Sequence, residues 1–297
     1  MLKGILFLVL TGTIWVLPGA VISSSAKKGL SLDYIQGISA LILILLAVPV
    51  WFFGNADVPG ITWVMLPLSG VANYFCFIVA RNAMAKGPSG LTWAIMQSSF
   101  IMPFFMGVLF FGVSCSPLRF AGLLVMLTAM YLMGRWGNSG GEDTSQHSRK
   151  SEWLLYTFIA FVLAGTSQCF FNLPSYFIKD SAGGISNLIF RVGINSIASF
   201  MLFLCSPLWC KNSFKGQGTL VSILLLTFAS LCAVSCLFMG LDTLVANGAG
   251  AIGYPISLGS NIVAFLIYTS LRLKERLALP ALGGVVLCLV GIVMLTM

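Results

Sequence analysis

Runs of about twenty apolar residues, the length that crosses a bilayer as helix, fill almost the whole chain. They lie near 4–25, 31–54, 61–81, 89–112, 117–136, 153–173, 184–207, 219–241, 246–271 and 278–297. Gly, Pro, Asn and charge punctuate them, as in "GNADVPG", "RNAMAKGPSG" and "CKNSFKGQG". Only 8% of residues are charged, against about 25% in a water-soluble domain. With 58% hydrophobic residues and a mean hydropathy of +0.99, lipid must be the outer solvent. The expected fold is an all-α integral membrane protein of ten transmembrane helices. The first run is read as a span, not a cleavable leader, because it is long and Pro18-Gly19 interrupts it.

The net charge of +8 carries no nucleic-acid reading, since the basic residues stand in ones and twos between apolar runs, as membrane-boundary charges do. Most cysteines lie inside apolar runs without metal-like spacing, and the single histidine, His147, sits in a polar stretch. No Ser–His or Cys–His pair and no zinc site is therefore expected in the membrane. Without a phosphate-binding loop, ATP drive is not indicated. The chain is expected not to be an enzyme and to use no metal or cofactor. Its expected partners are the lipid bilayer and a small-molecule substrate, as a monomer or loose homodimer.

The longest polar stretch, "GNSGGEDTSQHSRKSE" at 137–152, reads as a linker between 1–136 and 153–297. Shifting the sequence by 161 lays 77–133 on 238–294, matching Gly87 with Gly248, Ser99 with Ser260 and Gly122 with Gly283. A shift of 156 lays "LPGAVISSSA" (17–26) on "LPSYFIKDSA" (173–182). Five spans per half is an odd number, so the second half enters the membrane the other way up, as an inverted repeat.

Ten spans in two five-span halves, a Gly-rich last span and Glu275-Arg276-Leu277 just before it resemble the drug/metabolite transporter superfamily, EamA type. Ser114-Cys115-Ser116 stands where the first half would carry its own Glu-Arg, a departure from the pattern. The resemblance implies secondary transport by alternating access. It also implies a central cavity lined by spans one, three, four, six, eight and nine, with five and ten outside.

The placing of polar residues bears on that expectation, because a polar side chain at mid-span marks a bundle interior or an aqueous cavity. Spans five and ten are almost free of them, while Gly122, Ala129, Gly284, Cys288 and Gly291 suit close helix packing. The candidate cavity residues are Trp15, Asn73, Tyr74, Trp93, Gln97, Ser99, Gln168, Asn172, Arg191, Tyr254, Ser257 and Asn261. Amides rank high among them because each needs several hydrogen-bond partners. Pro18-Gly19, Pro103, Pro174 and Gly253/Pro255/Gly259 lie beside several of them, and helix breaks at matching places point to a midplane site. Arg191 either snorkels to the surface or reaches inward to an anionic substrate group. Asp242, near the C-terminal end of its span, is the coupling candidate, with a solvated loop aspartate as the alternative.

Lys and Arg divide unevenly between the two faces. Lys3, Arg119 and Lys179 fall on the side of the termini. Lys27, Lys28, Arg81, Lys86, Arg135, Arg149, Lys150, Lys211, Lys215, Arg272, Lys274 and Arg276 fall on the other. The charge rule places the termini outside the cytoplasm, whereas the resembling family implies termini inside. The expected function is secondary active transport of a small polar organic metabolite across the cytoplasmic membrane, proton-coupled or by exchange. A sugar-uptake carrier of the glucose/rhamnose branch is the alternative; an intramembrane enzyme and a cation channel or carrier are the competing classes.

Overall fold

The computed structural model describes residues 1–53, 58–113, 116–136, 145–177, 185–206, 216–273 and 279–296. Residues 137–144 of the 137–152 linker, Ser114-Cys115 and Glu275-Arg276-Leu277 lie outside the described residues. Among the described residues the fold is all-helical, with ten helices that follow the apolar runs. They are α1 (Leu2–Lys28), α2 (Leu32–Phe53), α3 (Thr62–Lys86), α4 (Ser89–Phe111) and α5 (Pro117–Trp136). The second set is α6 (Ser151–Phe177), α7 (Ile185–Cys205), α8 (Gln217–Ala246), α9 (Gly250–Arg272) and α10 (Leu279–Thr296). Eight are long and apolar enough to span a membrane, and α5 and α10 contain shorter apolar stretches. Helix begins at Ser145, inside the stretch expected to be linker, so α6 carries a polar extension beyond its membrane segment.

The helix breaks fall beside prolines, although Pro49 in α2 and Pro67 in α3 stand inside continuous helix. Proline removes one N–H and crowds the carbonyl four residues earlier, which weakens regular helix about one turn before it. In α1 the break falls at Trp15, three residues before Pro18. In α4 it is a 3-10 turn at Ser98–Phe100, ahead of Pro103. In α6, Leu173–Phe177 around Pro174 is 3-10, and α9 opens with a 3-10 turn at Gly250–Ile252 before Pro255. The broken helices are thus α1, α4, α6 and α9.

Small residues set how the helices meet. A Cβ on Gly37 of α2 would lie 2.0 Å from the Phe203 ring of α7, and one on Gly193 of α7 would lie 2.3 Å from the Ala47 Cβ of α2. A Cβ on Gly291 of α10 would lie 2.8 Å from the Gly122 carbonyl of α5. Such contacts bring backbones close enough for dispersion and polar contacts to hold helices together in lipid. Helix α1 packs on α8, α3 packs on α6, α2 on α7, and α5 on α10. The α5–α10 pair stands at the edge, and α9 is the most buried span. Large apolar side chains such as Phe52, Phe53, Leu109 and Phe110 cover the outside, where a soluble protein would keep polar groups. The chain is a multi-pass integral membrane protein.

Candidate functional site

Between these helices lies a cavity of about 110 Å³. One water needs roughly 15 Å³ on this measure, so the space suits several waters or one small solute. Its amides are Gln36, Asn73, Gln97, Gln168 and Asn195. Its rings are Trp15, Phe77, Trp93, Phe171 and Tyr254, and Ser39, Ser69, Ser167, Ser196, Ser199 and Ser230 supply hydroxyls. None of the lining residues is Asp, Glu, Lys, Arg or His. A charged solute would therefore lose its hydration here and meet no counter-charge.

Three lining amides have unspent polarity. Gln36 Nε2, Gln168 Oε1 and Asn195 Oδ1 are buried and find no hydrogen-bond partner among the described residues. Leaving such an atom unsatisfied costs about 1–3 kcal/mol, so groups like these are kept where something polar meets them. They come from α2, α6 and α7, one donor and two acceptors, and are closed off from water in this conformation.

One wall of the cavity is fixed by Asn261 of α9. Its Nδ2 donates to the Gly12 carbonyl of α1 at 2.8 Å. Its Oδ1 accepts from Trp93 Nε1 at 2.6 Å and from Gln97 Nε2 at 3.0 Å, both on α4. Gly12 permits this approach, because a Cβ there would lie 2.2 Å from Ser260 Oγ. Trp93 also packs on Phe265, with centroids 5.1 Å apart. The Asn261 amide is thus engaged by three protein groups and aims the indole of Trp93 and the amide of Gln97.

Of the residues singled out from the sequence, Trp15, Asn73, Trp93, Gln97, Gln168 and Tyr254 line the cavity. Asn261 stands behind the wall. Ser99, Asn172 and Ser257 are buried outside the lining. Tyr74 turns away from it, donating to Asp33 Oδ1 at 2.9 Å and tying α3 to the start of α2. Arg191 neither snorkels nor reaches into the cavity. It is only 1% exposed and pairs with Asp242, its Nη1 donating to Oδ2 at 2.6 Å. Asp242 is accordingly not a solvated loop residue; it belongs to α8.

The lining also departs from the six-span expectation. Spans α2 and α7 contribute Gln36, Ser39, Asn195, Ser196 and Ser199. The signal was present: Gln36/Ser39 and Asn195/Ser196/Ser199 fall at helical spacing, so each set projects to one side of its helix. Two reciprocal contacts close the wall between α3 and α6. Ser69 Oγ donates to the Ser167 carbonyl at 2.9 Å, and Ser167 Oγ to the Ser69 carbonyl at 3.0 Å.

No family model matches this chain, and no curated protein does. Its fold is similar to that of a solved structure described only as "Crystal structure of protein", with a TM-score of 0.67 at 13% identity. The match covers 98% of each chain, so the likeness extends over the whole helical bundle and shows the fold alone.

Proposed function

We propose that this chain is a secondary transporter of the drug/metabolite type, EamA-like, that moves a small uncharged solute rich in hydroxyl groups. The observation that carries this reading is a cavity of amides, hydroxyls and rings, without a formal charge, enclosed by helices long enough to span a bilayer. Hydroxylated solutes offer donors and acceptors in every direction, matching amide and serine walls, while their C–H faces stack on Trp and Phe.

An inverted repeat of 1–136 and 153–297 supports alternating access. The shift of 156 that relates 17–26 to 173–182 also carries Gly37 to Gly193 and Ala47 to Phe203. These four residues make the two close contacts between α2 and α7, Gly37 on Phe203 and Gly193 on Ala47, as a pseudo-twofold axis requires. Exchange of the halves likewise carries the α1–α8 packing onto α6–α3. Halves related in this way can rock about a central site to expose it to either face in turn.

The proposed home is the cytoplasmic membrane, with the termini outside, as the Lys and Arg distribution favours. A reporter fused to Met297 that works only in the cytoplasm would contradict that orientation. The functional test is flux in proteoliposomes across a panel of sugars, polyols, amino acids and organic cations, with and without an imposed pH gradient. Saturable flux of neutral hydroxylated members is expected, and proton coupling would appear as stimulation by the gradient. Saturable flux confined to charged members would overturn the reading.

A further inference from the structure

The floor of the cavity contains Phe171, Val192, Val234 and Tyr254. Phe171 stacks face to face on Phe238, with centroids 4.4 Å apart and planes 5° from parallel. The guanidinium carbon of Arg191 lies 3.6 Å from the centroid of Phe238. From there Arg191 Nη1 donates to Asp242 and Nη2 donates to Ser175 Oγ at 2.9 Å. One continuous line of contacts thus runs from the cavity to the Lys/Arg-poor face, built from α6, α7 and α8. At its outer end the Asp242 side chain is 11% exposed, against 1% for Arg191.

We infer that this cluster is the gate of the Lys/Arg-poor face, with Phe171 as its cavity-facing contact. The ion pair crosses from α7 to α8 and also holds Ser175 at the end of α6, so releasing it frees three helix ends together. The pair is incompletely satisfied, because Arg191 Nε and Asp242 Oδ1 are buried without a hydrogen-bond partner among the described residues. A half-satisfied buried pair can regain hydration when the helices part, which offsets part of the loss of its internal bonds. A solute resting on Phe171 touches the first member of the stack, so occupancy and gate share one set of contacts. Arg191 and Asp242 act on helix positions and do not touch the solute.

The inference rests on the transport reading, yet it can be tested without a known substrate. A cysteine replacing Val192 would report access to the floor. Oriented membrane vesicles would be exposed to a membrane-impermeant maleimide from the Lys/Arg-poor face, and modification at residue 192 located by peptide mass. Cys288, buried on α10, serves as internal control for loosening of the whole fold. With the pair intact, labelling at 192 should be slow. Asp242→Asn, and the double variant Arg191→Gln/Asp242→Asn that leaves no orphan charge, should each speed it at least tenfold with Cys288 unchanged.

Folded variants that label at the parent rate would overturn the gate. Failure of both variants to fold would mark the pair as a structural tie and overturn it equally. Faster labelling in a protein that moves no solute of the panel would leave the gate standing and remove the transport reading.

Discussion

The two halves of the molecule join equivalent helix pairs by different chemistry. Near the Lys/Arg-rich face, α2 and α3 are linked by Tyr74 donating to Asp33, a neutral donor on a single carboxylate. Near the opposite face, α7 and α8 are linked by Arg191 on Asp242, reinforced by Ser175 and by the Phe238 ring. Breaking a hydrogen bond to a charged group costs about 1.5–3 kcal/mol. Stripping one partner from a buried ion pair costs about 3–5 kcal/mol, because the other charge stays behind. The Lys86–Glu152 pair, which joins α3 to α6 at the Lys/Arg-rich face, is exposed and worth little. The buried Arg191–Asp242 link is therefore the costlier to break, and the resting protein is expected to open more readily toward the Lys/Arg-rich face.

That contrast gives a ranked set of expectations. Arg191→Met should be the most damaging change, lowering stability by about 3–5 kcal/mol in thermal melts of the detergent-purified protein. Adding Asp242→Leu should recover most of that loss, since an apolar pair leaves no orphan charge. Asn261→Leu comes next. It strands Trp93 Nε1, Gln97 Nε2 and the Gly12 carbonyl, so it should cost about 1–3 kcal/mol of stability and weaken solute binding as well. Gln97→Met leaves the Asn261–Gly12 bond in place. It should lower affinity at least tenfold, about 1.4 kcal/mol, with a smaller shift in melting. Tyr74→Phe should cost about 1.5 kcal/mol, because it removes one hydrogen bond to a carboxylate and leaves both helices otherwise in place. Equal losses from Arg191→Met and Tyr74→Phe would erase the proposed difference between the halves. Smallest of all, deleting 139–146, which removes only the first two residues of the helix that begins at Ser145, should leave expression and flux nearly intact.

How far the sequence reaches can be judged residue by residue. Helix positions were legible because lipid leaves the backbone few options and about twenty residues fix a span. Breaks were legible near Pro18, Pro103, Pro174 and Pro255, although Pro49 and Pro67 leave α2 and α3 continuous. The edge position of α5 and α10 followed from their lack of mid-span polarity and from small residues such as Gly122 and Gly291. The site was only partly legible. Gln36 and Asn195 belong to helices that the family resemblance kept out of the cavity, and the sequence analysis singled out neither. The sequence places Asn261 in the cavity lining, where the structure does not put it: whether an amide faces solute or protein depends on Gly12, Trp93 and Gln97, distant in sequence and brought near only by packing. Arg191 and Asp242 each stood out, yet their pairing joins residues 51 apart on separate spans, which no local pattern encodes.

The central claim is that an uncharged cavity selects an uncharged solute, and matched probes test it most directly. Purified protein in proteoliposomes, loaded with a solute the panel identifies as carried, would be challenged with a neutral hexose, its uronic acid and its amino sugar as competitors. These probes share a hydroxylated ring and differ chiefly in charge. The account predicts that the neutral probe competes at least tenfold better than either charged one, a difference of about 1.4 kcal/mol or more, and that Gln97→Met reduces its advantage. Equal competition by the anionic or cationic probe would contradict it.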